Sequence, residues 1–114
     1  MHQPISEISI EALVERMQNQ QQPIQLIDVR EPEEVAIASL PGFKYLPLSE
    51  FAQWSETINT SLDAQTETIV LCHHGIRSAQ MCYWLQMRGF KNVKNVKGGI
   101  DAYALIADKS IPRY

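Results

Sequence analysis

The residues that could carry out chemistry are concentrated in one segment, Cys72-His73-His74-Gly75-Ile76-Arg77. The stretch before it, residues 68–71, is β-branched and apolar and predicts a buried strand, while residues 78–89 predict a helix. A cysteine at such a junction faces the free backbone N–H groups of the helix and the positive end of its dipole, and both stabilise a thiolate. Because the thiolate is the nucleophilic form of cysteine, the position of Cys72 predicts covalent chemistry.

The rest of the loop suits the same chemistry. Gly75 is expected where the chain curls at positive φ, so that N–H groups from Gly75 to Ser78 point inward and stabilise an anionic sulfur. Arg77 offers a positive fork for an oxyanion, and Ser78 either donates a hydrogen bond to the sulfur or helps to start the helix. His73 and His74 either contact substrate or lie partly in solvent. Cysteine and two histidines in immediate succession are poor geometry for one metal ion, so no metal is expected.

Three further residues have two interpretations each. Asp28 and Arg30 follow a predicted strand, where they either border the site or, as we favour, tie the strand end to neighbouring loops. Cys82 lies on the helix after the loop and is expected in the core, with a resolving thiol as the minority interpretation. Two cysteines without a CxxC pair make no disulfide framework, and a reducing compartment, the cytoplasm, is the simplest interpretation.

Length and composition are those of an ordinary single domain spanning residues 1–114. The chain is 45% hydrophobic and 20% charged, which is typical of a globular protein that buries one core. No apolar run approaches the ~20 residues of a membrane span, and residues 1–4 show no signal-peptide pattern. We expect no membrane contact, and a monomer, since no segment is left for an extra interface.

Charge is distributed unevenly along the chain. The formal net charge is −3, which argues against nucleic-acid binding, and no basic residues interleave the aromatic ones as in a stacking surface. Residues 1–69 carry a net charge of −8 and residues 70–114 a net charge of +5. The cysteine loop lies in the basic part, where a positive field would attract a small anion. The alternative is that Lys91, Lys94 and Lys97 simply solvate a surface.

The elements that must position the loop alternate between helix and strand. Helices are predicted over 10–19 with Ser9 as N-cap, over 32–38, from a cap at Ser49 to about 54, over 78–88 and over 100–107. Strands are predicted over 24–29, 43–46, 68–72 and 93–96, while 59–66 is a loop or an irregular helix. This alternation predicts an α/β fold with a central, mostly parallel sheet of about five strands and helices on both faces. In such sheets the reactive site lies at the carboxyl ends of the strands, where residues 28–30 and the Cys72 loop are both expected.

The chain resembles a single-domain rhodanese, a member of a family of sulfurtransferases. The resemblance follows the whole chain through DVREPEE at 28–34, LPG at 40–42 with LPL at 46–48, IVLCHHGIRS at 69–78, and GGI at 98–100 with Tyr103. It departs at Ala38-Ser39, where the family usually has Gly-His, so any role of that histidine does not transfer to Ser39. The tail, residues 98–103 and 110–114, is also similar to rhodanese domains fused to activating enzymes of ubiquitin-like sulfur carriers.

This resemblance implies a sulfurtransferase that needs no cofactor. Cys72 would take a sulfane sulfur from a small anionic donor such as thiosulfate, hold it as a persulfide, and pass it to a thiophilic acceptor. That acceptor would be cyanide in vitro and a thiol, a thiol protein or a sulfur carrier in the cell. Two alternatives stay open. One is a rhodanese-like binding module without catalysis; the other is a cysteine-dependent phosphatase or arsenate reductase, whose loop has five residues between cysteine and arginine where this chain has four.

Overall fold

The computed structural model describes residues 4–114 as a five-stranded sheet covered by helices. Residues 1–3, which belong to the N-terminal segment that lacks a signal-peptide pattern, lie outside the described residues. The strands are β1 (Ser6–Ile8), β2 (Ile24–Asp28), β3 (Lys44–Tyr45), β4 (Glu67–Leu71) and β5 (Val93–Val96). The helices are α1 (Ile10–Gln18), α2 (Pro32–Ile37), α3 (Phe51–Trp54), α4 (Ile58–Ser61), α5 (Ile76–Met87) and α6 (Gly99–Ile106), with 3₁₀ turns at Leu48–Glu50 and Ser55–Thr57.

The sheet has the strand order β1-β5-β4-β2-β3, and every neighbouring pair is parallel. This confirms the predicted α/β fold with a central parallel sheet of about five strands. β4 is the middle strand, paired with β2 through Asp28 opposite Leu71 and with β5 through Val70 opposite Asn95. The chain therefore leaves the centre of the sheet at Cys72, directly after the last residue of β4.

Alternating side chains of the strands build a core on each face of the sheet. Ile69 and Leu71 face the side covered by α1 and α6, with Leu13 packed among them. Val70 and Cys72 face the other side, where α5 contributes residues such as Met81, Cys82 and Leu85. Because the period is two residues, Cys72 necessarily points toward α5, the helix that follows it in sequence.

Most predicted elements are present, and their ends differ for local reasons. Ser9 caps α1 as predicted, since its Oγ accepts from the N–H of Ala12 at 3.1 Å. The prediction that Ser49 caps a helix is wrong: Ser49 lies inside a 3₁₀ turn and its hydroxyl donates to Glu31. In the undecided stretch, the chain forms the one-turn helix α4 and then a turn before β4.

Two differences matter for the site. The helix after the loop begins at Ile76, two residues earlier than predicted, so Gly75 is its N-cap. The strand β1 is absent from the sequence prediction, because only three residues separate its start from the cap of α1.

Across residues 4–114, the structure contains no helix with the length and apolar character that crossing a membrane requires.

Candidate active site

Cys72 lies beneath a tight loop, at the point where the central strand ends and α5 begins. Its side chain is 1% exposed. Gly75 adopts a left-handed conformation with φ of 103°, and this turns its N–H back toward Cys72 Sγ at a distance of 3.0 Å. Since α5 starts at Ile76, the positive end of its dipole faces the same sulfur. The geometry thus favours negative charge on or next to Cys72 Sγ.

The turn from β5 into α6 closes the loop from the other side. The N–H of Ile100 donates to the carbonyl of Cys72 at 2.9 Å, and the N–H of Asp101 donates to the carbonyl of His73 at 3.1 Å. Gly99 lies so close that a Cβ there would be 2.6 Å from the Cys72 carbonyl oxygen and would collide with the backbone of His73. The resemblance includes Gly98-Gly99, and the structure gives the physical reason for the second glycine.

Ser78 and Asn95 form a buried polar pair behind the sulfur. The Ser78 hydroxyl lies 3.1 Å from Cys72 Sγ and is also hydrogen-bonded to Asn95 Oδ1. Asn95 Nδ2 donates to the carbonyl of Gly75 at 2.9 Å. Ser78 is 0% and Asn95 4% exposed. Of the two interpretations of Ser78, its contact with the sulfur is present, and its side chain makes no capping bond for α5.

The side chain of Arg77 bonds to α2. Its guanidinium holds both carboxylate oxygens of Glu34, at 2.7 and 2.8 Å. The hydrogen bonds from Arg77 are the largest of the effects that lower the pKa of Glu34 to about 2, and the same bonds raise the pKa of Arg77. Glu34 also accepts from the N–H of Glu31 and from the hydroxyl of Tyr114. Arg77 therefore anchors the start of α5 to α2 in this structure.

Asp28 and Arg30 make an ion pair with both side chains 0% exposed. Arg30 Nη2 lies 2.8 Å from Asp28 Oδ2 and also donates to the carbonyl of Ala38, while Nη1 donates to the hydroxyl of Tyr114. Asp28 Oδ1 accepts from the N–H of Arg30 itself at 3.0 Å. These contacts tie the end of β2 to α2 and to the C-terminal residue. The pair supports the site from behind, and none of these bonds reaches the sulfur or its loop.

His73 and His74 lie on the outer side of the loop. The His73 ring stacks on Tyr114 at 3.8 Å and on His74 at 3.8 Å, and burial is the main cause that lowers the pKa of His73. The two rings and the Asp101 carboxylate offer ligand atoms within 4.8 Å of one another. Arg113 already holds both Asp101 oxygens, at 2.8 and 3.2 Å, and the stacked rings lie side by side. This arrangement fits a metal ion poorly.

Cys82 is fully buried on α5. Burial raises the pKa of the Cys82 thiol to about 12, with the negative charge of Cys72 adding to the effect. Neither cysteine forms a disulfide. Cys82 packs in the core beside Met81 and Leu85.

Sequence reasoning missed three residues that the structure brings to the site: Asn95, Glu34 and Tyr114. A signal existed for Asn95, which is a polar residue on the same face of β5 as Val93 and lies three residues before Gly98. By sequence alone, Glu34 is only one of several acidic residues near the start of a helix. Tyr114 reaches the site from the last position of the sequence, and no local pattern points to such a contact.

Comparison with known proteins places these features in one family. A family model described as "Rhodanese-like domain" matches residues 9–105. The "Putative sulfurtransferase YtwF" of Bacillus subtilis is 38% identical over 99 residues, covering 87% of this chain and 90% of that protein. The "Rhodanese-like/PpiC domain-containing protein 12, chloroplastic" of Arabidopsis thaliana is 49% identical over 114 residues, covering 98% of this chain. The chain spans only 38% of the length of that Arabidopsis relative.

Solved structures agree with the fold. The crystal structure of a rhodanese-like domain protein from Staphylococcus aureus superimposes with a TM-score of 0.76 and 25% sequence identity. The superposition covers 96% of this chain and 99% of the Staphylococcus chain. The described sheet and its helices therefore share the fold of that domain.

Proposed function

Because this chain belongs to the rhodanese-like domain family, we propose that it is a sulfurtransferase that carries sulfur on Cys72. The observation that carries the proposal is the placement of Cys72 Sγ, 3.0 Å from the N–H of Gly75 at the positive end of α5. That placement suits a thiolate and an anionic persulfide equally well. The name of the Bacillus relative supports the same activity.

The proposed reaction has two half-reactions. The Cys72 thiolate attacks the outer sulfur of thiosulfate, the S–S bond of the donor breaks, and sulfite leaves with the electron pair. Cys72 then carries a persulfide, whose terminal sulfur is anionic. A nucleophile such as cyanide or a thiolate attacks that terminal sulfur, the Cys72 S–S bond breaks, and the Cys72 thiolate is regenerated. Thiosulfate is one example of a sulfane donor, and cyanide is one example of a thiophilic acceptor.

The residues at the rim of the active-site loop indicate which kind of molecule accepts the sulfur. Ile76, the first residue of α5, is 72% exposed although it is apolar and lies four residues from the nucleophile. From its place at the rim of the reactive loop, we infer that Ile76 contacts a macromolecular acceptor. The proposed cellular acceptor is therefore a protein thiol or a sulfur-carrier protein. Both cysteines are free thiols, which supports a reducing compartment, the cytoplasm in our proposal.

Phosphatase or arsenate reductase chemistry has less support. Only four residues separate Cys72 from Arg77, and the Arg77 guanidinium is already bound to both carboxylate oxygens of Glu34. A phosphoryl group would need that guanidinium to balance its charge.

Intact mass spectrometry tests the proposal. The reduced protein is exposed to thiosulfate and, separately, to a small-molecule persulfide, beside the matched variant Cys72→Ser. We expect the wild type to gain the mass of one sulfur atom and to lose it as thiocyanate when cyanide is added, while Cys72→Ser gains nothing. Sulfur gained from the persulfide alone would remove thiosulfate as donor. A wild type that gains sulfur from neither donor would overturn the proposal in favour of a binding module.

A further inference from the structure

Asn95 is a buried polar residue that the sulfur-transfer chemistry above does not use. It is 4% exposed and lies on β5, between Val93 and Val96, beneath the loop that carries Cys72. Its Nδ2 donates to the carbonyl of Gly75 at 2.9 Å. Because a carbonyl oxygen can only accept, this bond fixes the orientation of the amide and leaves Oδ1 as a pure acceptor directed at Ser78.

The hydroxyl of Ser78 faces two acceptors and has one hydrogen. Its oxygen is hydrogen-bonded to Asn95 Oδ1 and lies 3.1 Å from Cys72 Sγ. Asn95 Oδ1 has no hydrogen to give, so that contact is attractive only when Ser78 donates to it. The contact with Cys72 can run in either direction, because a thiol S–H can donate to the serine oxygen.

The protonation state of Cys72 therefore decides whether both contacts are satisfied. With a thiol, the chain is complete: Cys72 S–H donates to Ser78, and Ser78 donates to Asn95. With a thiolate, Ser78 must turn its hydrogen toward the sulfur and leave Asn95 Oδ1 without it, or keep its hydrogen on Asn95 and turn a lone pair toward a negative sulfur. In a site where Ser78 is 0% exposed, each arrangement leaves one unfavourable contact.

We propose that Asn95 is a positioning residue that, by competing for the hydrogen of Ser78, controls the balance between the thiol and the thiolate of Cys72. Asn95 opposes the thiolate, while the N–H of Gly75 and the dipole of α5 favour it. This inference deepens the proposed function, in which the thiolate attacks the donor, but it concerns a proton and does not require that sulfur be transferred.

Other charged and titratable groups also face Cys72 or lie on the elements packed around it. From α5 these are Arg77 and Cys82, both electrostatically coupled to Cys72. The remaining groups are His73 and His74 in the loop, Asp101 on α6, and the Asp28–Arg30 pair at the end of β2. A test of Asn95 must leave all of these unchanged and separate the route through Ser78 from every other route.

A double-mutant cycle does so. The rate of Cys72 alkylation by iodoacetamide is followed against pH in the wild type, Asn95→Leu, Ser78→Ala and the double variant. Asn95→Leu keeps the approximate size of the side chain and removes both polar atoms. The loss of the Asn95 bond to Gly75 affects Cys72 in both the wild-type and the Ser78→Ala background. The loss of the Asn95 contact with Ser78 affects Cys72 only in the wild-type background. Thermal unfolding of each variant shows whether it is folded.

The expected result has a definite sign. In the wild-type background, Asn95→Leu should shift the midpoint of the pH profile further toward acid than in the Ser78→Ala background. The difference should be about one pH unit, the size expected for a hydrogen bond gained by a charged group. Equal shifts in the two backgrounds, or a larger acid shift without Ser78, would overturn the inference.

A second measurement needs no Asn95 variant. In ¹⁵N–¹H spectra of the wild type, the side-chain amide resonances of Asn95 should move with pH at the alkylation midpoint of Cys72. They should stay unmoved in Cys72→Ala. Resonances that ignore the ionisation of Cys72 would also overturn the inference. A protein that shows the coupling but takes no sulfur from any donor would instead overturn the proposed function alone.

Discussion

Two cysteines lie ten positions apart in this chain, and the structure gives them opposite surroundings. Cys72 receives an N–H from Gly75 and faces the start of α5. Cys82 lies in the core, where burial raises the pKa of its thiol to about 12. Both side chains are almost fully inaccessible, at 1% and 0% exposure, so burial alone does not distinguish them. The polar groups around each sulfur distinguish the two cysteines.

The difference predicts selective labelling. At pH 8, about one Cys82 thiol in ten thousand would be ionised, since the pKa of about 12 lies four units higher. Iodoacetamide should therefore label Cys72 in the folded protein and leave Cys82 free, as peptide mass mapping would show. Labelling in denaturant, where both thiols should react, is the control. We also expect Cys82→Ala to load and release sulfur like the wild type; loss of release alone would instead make Cys82 a resolving thiol.

Whether the sequence predicts a contact between two residues depends on how far apart they are along the chain. The loop from Cys72 to Ser78 can be recognised because its residues are adjacent, and the positive φ of Gly75 is confirmed. The partner of Arg77 could not be found, since Glu34 is 43 positions away and several acidic residues compete for the role. Asn95 is intermediate, because its polarity on the same strand face as Val93 is visible in the sequence but its contact with Ser78 is not.

Among the elements, the close approach of the α6 turn to the active-site loop sets a steric demand at Gly99. Its φ is +65°, and a Cβ would lie 2.6 Å from the Cys72 carbonyl oxygen. Gly89, after α5, has a φ of +92° and no atom within 4 Å of the position that a Cβ would occupy. The two glycines therefore share a positive φ that would strain any other residue, and they differ in steric surroundings.

This pair predicts unequal effects of the same substitution. Gly89→Ala should lower the free energy of unfolding by about 1 kcal/mol, the cost of a left-handed alanine. Gly99→Ala should lower it by more than about 3 kcal/mol, because the loop or α6 must also move. Urea denaturation measures both. Similar losses would show that the loop gives way easily and that the turn does not hold it.

Glu34 joins two helices, α2 and α5, through its contact with Arg77. Its pKa is lowered from 4.5 to about 2. A carboxylate with a depressed pKa in the folded state contributes stability above its unfolded pKa and loses that contribution as pH falls through the folded value. The contact should therefore stabilise the protein above pH 4.5 and fade between pH 4.5 and about 2.

The low pKa of Glu34 should make the stability of the protein depend on pH in acid. Wild-type melting temperature should fall more steeply across that window than the melting temperature of Glu34→Gln, which has no proton to take up at this position. Glu33→Gln is the matched control, since Glu33 is the exposed neighbour on the same helix and its removal should leave the slope unchanged. Parallel curves for Glu34→Gln and the wild type would contradict the assignment.

Element ends are harder to predict than elements, for reasons that are visible in the contacts. The sequence predicts the strands β2, β4 and β5, and the structure confirms them. β1 is a three-residue edge strand with one buried side chain, too short to show a period. Ser49 has the composition of a helix cap, but its hydroxyl and its N–H both bond to Glu31, 18 positions earlier, and this tertiary contact takes the place of a cap.

Over the whole molecule, the acidic and basic parts of the sequence are interleaved by the parallel topology. Glu67 on β4 lies 2.6 Å from Lys94 on β5, and Glu34 holds Arg77. The excess negative charge of residues 1–69 is thus partly paired with the excess positive charge of residues 70–114. Lys94 belongs to an ion pair, while Lys91 and Lys97 are exposed. The sequence reveals the imbalance, but the pairing depends on which elements the fold brings together.

Arg30 joins parts of the chain that are far apart in sequence. It follows β2, donates to the carbonyl of Ala38 beyond α2, and donates to Tyr114, 84 positions later. With Asp28 it forms an ion pair in which neither side chain is exposed. A buried charge that loses its partner is strongly destabilising, by about 3–5 kcal/mol, because nothing replaces its hydration.

Replacing Asp28 by asparagine should change the free energy of unfolding in opposite directions with and without Arg30. Arg30→Met should cost about 3–5 kcal/mol, since Asp28 is left charged and buried. Asp28→Asn should destabilise the wild type, where it unpairs Arg30, yet stabilise the Arg30→Met background, where it removes the stranded charge and keeps an oxygen for the N–H of residue 30. The lost bonds to Ala38 and Tyr114 are common to both Met variants and cancel. Urea denaturation of the four proteins measures the effect. If Asp28→Asn were destabilising in both backgrounds, the bonds of Asp28 to the backbone, and not its charge, would govern this centre.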